Sequence, residues 1–428
     1  MPFFPLSFHR AATLFHLRYL LRPKRAVPAF SPVSGRLLYV AASCLPYHIS
    51  GYTSRTHELL RALQADGGDL RAVTRTGYPW DRRDSLCLPE GKSTLIDGIS
   101  YAHLPAPRNN RFTAVYAMQA AAVLERYARQ ERVGAIHAAS NHVNALPALI
   151  AARRLGIPFR YEMRGLWELT RASRQSAFEN SHAYELGLEL EKLVAFHADR
   201  VFAISEQLGR YAREQWGIPP ERLHLLPNCV DGERIKPGSA TTVVPHSIGY
   251  AGTLISYEGL DTLIEAVSLL ARGGHEVHLH IMGDGEARPA LEAWAAALGL
   301  AERVNFFGKM LPDEARERLG RCALVCIPRR DFAVCRIVPP IKLAEALALG
   351  KAVVVPDLPV FRDELGPEPA GWFFRAGDAE HLAAVLARAL ADPERLAAMG
   401  LHGRRYILQC RQWRQFTGSV LLPGRDGT

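Results

Sequence analysis

The feature that most constrains this chain is a strand–helix alternation that runs its course twice, separated by one polar lapse. From Arg36 onward, short aliphatic and β-branched runs alternate with longer stretches of helical periodicity. Strands are predicted at Arg36–Ala42, Asp69–Thr74, Ala135–Ala138, Phe159–Glu162 and Asp199–Ile204. Helices are predicted at Thr53–Ala65 after a turn containing Gly51, at Ala145–Leu155 stopped by Gly156, and at Glu206–Gln215 capped by Ser205. The pattern lapses over Val230–Pro245, where Asp-Gly, Pro-Gly-Ser and a threonine pair mark a linker. It then restarts, with strands predicted near Ser247–Tyr250, Glu276–Met282, Arg303–Phe306, Ala323–Ile327 and Ala352–Val355 and helices between them. Such alternation buries a parallel sheet between helices on both faces. The expected fold class is α/β, with doubly wound domains at about 36–235 and 246–390, a basic extension over 1–35 and a C-terminal stretch over 391–428.

Charge distribution narrows the partners. Lys and Arg number 52 against 43 Asp and Glu, but residues 1–57 hold seven basic side chains and no acid. The rest of the chain is left at 45 against 43, so the excess is local. A diffuse nucleic-acid surface explains this poorly, and no nucleic-acid partner is expected. An anionic membrane surface explains it better. At 100° per residue, Arg10, Arg18, Arg22 and Arg25 share one arc, with Leu14 and Leu21 intruding, and Phe3, Phe4, Phe8 and Phe15 supply apolar groups. A flexible basic tail is the alternative. No run approaches the ~18 apolar residues of a membrane span. Leu14–Leu21 is broken by His16 and Arg18, unlike a signal peptide. The seven cysteines form no C-x-x-C pair, and Cys322 and Cys326 read as small buried hydrophobes in a reducing compartment. A cytoplasmic protein, peripheral on the inner face of the plasma membrane, is the expectation.

Ligands in open parallel sheets sit beyond the carboxyl ends of the strands. Gly283-Asp284-Gly285-Glu286 follows a predicted strand, but a dinucleotide fingerprint needs glycine where Arg288 stands. Gly91-Lys92-Ser93 lacks the P-loop glycine five residues earlier, at Leu86. His278 and His280 share a strand face, either a metal pair or simply exposed. No Asp-x-Asp occurs, so phosphate chemistry here is expected to dispense with that divalent-metal device, and neither metal nor cofactor is expected. The strongest constellation is Ile327-Pro328-Arg329-Arg330 followed by Arg336-Ile337-Val338-Pro339-Pro340-Ile341-Lys342 and Glu345. A strand ends in a basic loop and a helix begins at a proline, so free N–H groups and the dipole's positive end meet the loop. This is either a diphosphate cradle with a hydroxyl acceptor beside it or an exposed basic loop with one helix ion pair.

Several segments in order make the chain resemble glycosyltransferase family 4, also called glycosyl transferases group 1. They are Ser50-Gly51-Tyr52-Thr53, Ile136-His137-Ala138, Tyr161-Glu162-Met163-Arg164-Gly165-Leu166-Trp167-Glu168, Leu226-Pro227-Asn228-Cys229-Val230-Asp231, Gly249-Tyr250-Ala251-Gly252-Thr253, Gly283-Asp284-Gly285 and Pro340-Ile341-Lys342-Leu343-Ala344-Glu345. The resemblance covers roughly 36–415. It implies a GT-B fold: two facing Rossmann-like domains, acceptor then donor, with a C-terminal helix returning to the first. It implies donor contacts from Gly252, Thr253, Gly283, Arg329, Pro340 and Ile341, and acceptor contacts from Gly51, Tyr52, Glu162 and Arg164. Arg336, Lys342, Glu345 and His137 are the expected catalytic set. The chain departs from the family pattern at three charged positions, since Ile337 stands at the first Glu of E-x7-E and Thr253 and Glu258 stand at the usual Arg and Lys, and Cys229 also replaces the Gly of the Asn-Gly-Val-Asp turn. Arg329, Arg336 and Lys342 are then expected to supply the missing positive charge.

The implied activity is retaining transfer from a nucleotide-sugar to a saccharide or lipid-linked saccharide in envelope or exopolysaccharide assembly. The rivals are a catalytically silent GT-B assembly subunit, which would explain the three departures together, and a sugar-nucleotide epimerase.

Overall fold

Two sheets form where the alternation predicts them. The computed structural model describes residues 6–22, 30–237 and 243–421. The chain divides into one unit running to Pro227 and resuming at Trp413, and a second spanning Asn228–Gln412. The expected boundaries at 235 and 390 shift for a local reason. Val230 donates its N–H to the Arg411 carbonyl at 2.9 Å, and Arg404 donates to the Ile235 carbonyl at 2.8 Å. Those bonds tie 228–235 and the helix Pro393–Cys410 to the second unit, and the chain rejoins the first only from Trp413.

The first unit has strands β1 (Leu37–Ala41), β2 (Leu70–Thr74), β3 (Ser93–Ile96), β4 (Ile99–Ala102), β5 (Ala135–Ala139), β6 (Phe159–Met163), β7 (Arg200–Ala203) and β8 (Leu223–Leu225). Their order is β3-β4-β2-β1-β5-β6-β7-β8, parallel except for the β3–β4 pair. That hairpin turns at Asp97-Gly98, both at positive φ, and the rejected Gly91-Lys92-Ser93 tripeptide leads into it. Central strands β1, β5 and β6 are buried along their whole length, as sheets covered on both faces require. The predicted punctuation holds. Ser205 Oγ accepts the Leu208 N–H at 3.0 Å, and Gly156 closes its helix at φ 68°. Ser50 and Thr53 form a capping box that starts the helix at Gly51, two residues before the expected point. Helices Thr113–Glu131 and His182–His197 were not anticipated.

The N-terminal helix Leu6–Leu20 belongs to this core, because Thr13, Leu14, Leu17 and Leu21 are buried. Arg10 pairs with Glu185 and, at 2.6 Å, with Glu189. Leu14 and Leu21, which seemed to spoil the basic arc, are the anchors that dock the helix. Phe3, Phe4 and Arg25 lie outside the described residues, as does the Phe8 side chain. Among the described residues, no helix is long and apolar enough to cross a membrane.

The second unit has β9 (Val244–Ala251), β10 (His278–Met282), β11 (Val304–Gly308), β12 (Cys322–Cys326), β13 (Val353–Pro356) and β14 (Gly371–Phe374). All six are parallel, in the order β11-β10-β9-β12-β13-β14. Leu263, Val267, Leu279, Ile281, Leu324 and Val354 fill its core without exposure, each worth about 1.5–3 kcal/mol of burial. Cys322 and Cys326 lie buried in β12 as expected, and burial pushes the Cys322 thiol up to about 12.

Candidate functional site

At the carboxyl ends of β9 and β10, two glycine turns touch. Gly252 donates to the Met282 carbonyl at 2.9 Å, and Leu254 donates to the Asp284 carbonyl at 3.0 Å. Gly252 and Gly283 sit at φ 151° and 144°. A Cβ on Gly283 would collide with the Gly252 carbonyl, and one on Gly252 would stand 2.5 Å from Lys342 Nζ. Glycine is needed at both positions for conformation and for space.

Lys342 reaches this turn from the helix Ile341–Ala348, whose N-cap is Pro340; the helix begins one residue after the proline rather than at it. Its Nζ donates to Tyr250 Oη at 2.6 Å and to Glu258 Oε2 at 2.9 Å, and lies 4.2 Å from the centre of the Tyr250 ring. Tyr250 in turn donates to the Thr253 carbonyl at 3.1 Å. Arg329, at the end of β12, donates twice to Glu258 Oε1, at 3.2 and 3.0 Å, and once to the Val338 carbonyl at 2.9 Å. Two cations thus face one carboxylate. Burial alone would raise the Glu258 pKa, but Arg329 and then Lys342 outweigh it and hold the group at about 2. Burial lowers the Lys342 pKa, with Glu258 opposing. Glu258, read as a departure that loses a cation, is the group that positions one.

Not every expected member joins. Arg336 is half exposed and forks onto Asp331 at 2.5 and 2.6 Å, so it is not part of the Lys342 cluster. The short helix Ala333–Ile337 turns it back toward the residue five positions earlier. Glu345 accepts from Arg316 Nη1 at 3.0 Å. Thr253 contributes its carbonyl, and Arg330 pairs with Asp261.

The first unit has its own buried carboxylate. Glu162, at the end of β6, accepts from Tyr39 at 2.6 Å, from Arg55 at 3.1 and 3.0 Å and from Arg164 at 2.9 Å, with His137 Nε2 at 3.2 Å. Arg55 spends its remaining donors on the Leu226 and Pro227 carbonyls, and Arg164 on Thr56 Oγ1 and the Tyr52 carbonyl. Burial raises the Glu162 pKa, but Arg164 and Arg55 outweigh it and hold it well below the carboxylate range. His137 has no exposed surface and stacks on Tyr39 at 5.1 Å. Burial holds its pKa below the ordinary value, so it is neutral, with Nε2–H donating to Glu162. His137, Glu162 and Arg164, expected as catalytic or acceptor contacts, are enclosed members of this network. Gly51 and Tyr52 remain exposed at the start of the first unit's glycine-opened helix.

Comparisons agree with both sheets. Residues 50–229 match the glycosyl transferase 4-like domain, and residues 233–406 match the glycosyl transferases group 1 model. The MMP alpha-(1->4)-mannosyltransferase of Mycolicibacterium hassiacum is 25% identical over 237 residues, and the match spans little more than half of either chain, 55% of this one and 56% of that relative. A GDP-mannose-dependent alpha-mannosyltransferase of Mycobacterium tuberculosis is 25% identical over 88% of this chain and 93% of its own. Among solved structures, sucrose-phosphate synthase from Thermosynechococcus elongatus superposes with a TM-score of 0.74 at 16% identity, covering 90% of this chain and 97% of that one. At that identity the likeness is one of fold.

Proposed function

We propose that this chain, which belongs to glycosyl transferases group 1 and has the family's two Rossmann-like sheets, moves a sugar from a nucleotide-sugar onto a saccharide or lipid-linked saccharide, with retention of configuration, in envelope or exopolysaccharide assembly. The observation that carries the reading is Lys342: an ammonium held by Glu258 and Tyr250 against the paired glycine turns at the ends of β9 and β10. Breaking the glycosidic bond of a nucleotide-sugar leaves negative charge on the departing diphosphate. A fixed cation that meets this charge as it grows lowers the barrier. Lys342, Arg329 behind it and the N–H groups opening Ile341–Ala348 are the groups available for that work. The reading needs no divalent cation at the diphosphate. Relatives named as GDP-mannose-dependent make GDP-mannose the first donor to try. The outward face of Leu6–Leu20 would set the protein against an anionic inner leaflet, where a lipid-linked acceptor lies.

The test is turnover across a panel of nucleotide-sugars, with the product anomer read by NMR. Lys342→Ala is expected to lower turnover about 10²-fold or more, the usual scale for one electrostatic donor, with the fold retained. Unchanged turnover would remove Lys342 from the mechanism. A wild-type protein that neither transfers nor hydrolyses any donor would favour the silent subunit, and conversion of the donor without an acceptor would favour the epimerase. Turnover in chelator-free buffer is expected to be independent of added Mn²⁺ or Mg²⁺; turnover that requires either ion would refute a reading without a divalent cation at the diphosphate.

A further inference from the structure

Three ionisable side chains outside the donor site meet near the carboxyl ends of β5 and β6. His142 opens the helix His142–Leu155, Glu168 lies in the first turn of Trp167–Ala172, and Glu191 sits on His182–His197. His142 Nδ1 stands 3.1 Å from Glu191 Oε1 and 3.7 Å from Glu168 Oε1. One ligand atom from each group lies within 4.8 Å of the others. Glu168 and Glu191 are 1% and 0% exposed, and His142 is 9% exposed.

Glu168 is the member that points to a ligand. Both of its carboxylate oxygens are buried without a hydrogen-bond partner. Taking a carboxylate out of water costs several kcal/mol, and here two carboxylates face a single imidazole. The surrounding chain nonetheless makes room for them. A Cβ on Gly187, within His182–His197, would collide with the Glu168 carboxylate. A glycine inside a helix costs about 1 kcal/mol, and this one leaves the space that the carboxylate fills. Glu191 is already oriented: Oε1 accepts the His142 backbone N–H at 2.5 Å, and Oε2 accepts the Tyr161 hydroxyl. Outer hydrogen bonds of this kind fix ligating carboxylates in metal sites.

We propose that His142 Nδ1, Glu168 and Glu191 hold a divalent transition-metal ion, zinc by the chemistry of the donor set. One imidazole nitrogen and two carboxylate oxygens are ordinary zinc ligands. Bonds of about 2.0–2.2 Å place neighbouring ligand atoms roughly 3.0–3.5 Å apart around the ion. His142 and Glu191 already stand in that range. A doubly charged ion balances the two carboxylates and leaves the imidazole neutral, which removes the charge imbalance that burial makes costly. Three protein ligands leave the fourth position of the ion to a water molecule, and because all three are buried on three helices the ion's role is to tie those helices to the strand ends. The site shares no residue with the donor site, so it stands or falls apart from the transferase reading.

The experiment is elemental analysis of the full chain, purified without a metal-affinity tag or chelator, followed by titration of the chelator-treated protein with Zn²⁺ and Co²⁺. About one equivalent is expected, with Co²⁺ giving visible absorption bands, and metal removal should lower Tm. Glu168→Gln keeps the side chain's shape without its charge and is expected to leave less than about a tenth of an equivalent. Tyr161→Phe removes only the outer hydrogen bond and is expected to weaken Zn²⁺ binding about 10–100-fold. If Glu168→Gln fails to fold, the Tyr161→Phe titration decides, and unchanged affinity overturns the assignment. A folded wild-type protein that contains no metal and takes up neither ion also overturns it, and a proton then neutralises one of the two carboxylates.

Discussion

Each unit buries a glutamate between two cations with a tyrosine hydroxyl in the cluster, yet the two clusters are finished differently. Around Glu162, both arginines run on to backbone carbonyls and a threonine, and the group is sealed, with neither Arg55 nor Arg164 more than 3% exposed. Around Glu258, Arg329 runs on to a carbonyl in the same way, but Lys342 keeps 13% of its side chain exposed beside Gly252, whose missing side chain leaves it room. A guanidinium presents donors in a rigid fork that a closed network can use up, whereas an ammonium is a movable point charge on a flexible stem. The first cluster is built to hold strands, helix and chain return together. The second holds a cation ready at a strand-end turn.

The sharpest way to break this comparison is to remove each carboxylate in turn. Glu162→Ala leaves two enclosed guanidinium groups without a counter-charge and is expected to cost about 3–5 kcal/mol of stability. Glu258→Ala is expected to cost less, about 1–3 kcal/mol, because Lys342 has a path to solvent. Urea denaturation measures both, and equal losses would mean that the two clusters do the same work. Acid should act on them in the same direction. Glu258 titrates near 2 when folded against 4.5 ordinarily. Its contribution is therefore complete above about pH 4.5 and is lost as pH falls toward 2, roughly 3 kcal/mol in all. Glu162, also lowered, steepens the same limb. Stability that stays flat between pH 5 and 3, or the same slope in Glu258→Gln as in the wild type, would sink this account.

How far the sequence foretold these clusters depends on the range of the interactions involved. Strand–helix alternation, the Ser205 cap and the Gly156 stop are written in neighbouring residues, and the sheets follow from them. The β3–β4 hairpin was missed because its strands, Ser-Thr-Leu-Ile and Ile-Ser-Tyr-Ala, are partly polar and partly exposed, without the buried run that marks the central strands. Lys342 was legible from its place behind Pro340. Arg336 looked equivalent on spacing, but Asp331 five residues before it captures the fork. Glu258 looked like a defect because its partners are 71 and 84 residues away. A lost cation at 258 matched by a cation at 342 was the signal available, a charge exchanged between the turn at Glu258 and the first turn of Ile341–Ala348. His142, Glu168 and Glu191 lie on three separate helices, and no spacing rule joins them.

The smallest expected effect concerns the surface that the first unit alone presents. Its N-terminal helix turns Thr13, Leu14 and Leu17 inward and leaves Phe15 and Tyr19 at 69% and 60% exposure. Arg18 and Arg22 are exposed on the same segment, with Arg22 lying over the Tyr19 ring at 5.6 Å. Arg10 is spent on Glu185 and Glu189, so the charge this helix has to offer an anionic surface is smaller than the sequence count implies. Near an anionic leaflet each remaining basic residue contributes about 1 kcal/mol, so Arg18 and Arg22 together supply about 2 kcal/mol, roughly a 30-fold change in partitioning. Because the helix is part of the packed core, truncation would unfold what it is meant to test, and surface substitutions are the better instrument. Arg18→Gln with Arg22→Gln should cut co-sedimentation with phosphatidylglycerol vesicles at low salt and make little difference at high salt, where the charge is screened. Phe15→Ser with Tyr19→Ser should cut it at both, since inserted apolar area does not respond to salt. If all four substitutions together leave binding to anionic vesicles at the wild-type level, this helix is not the membrane face, and the first unit's difference from the second lies in its sealed interior alone.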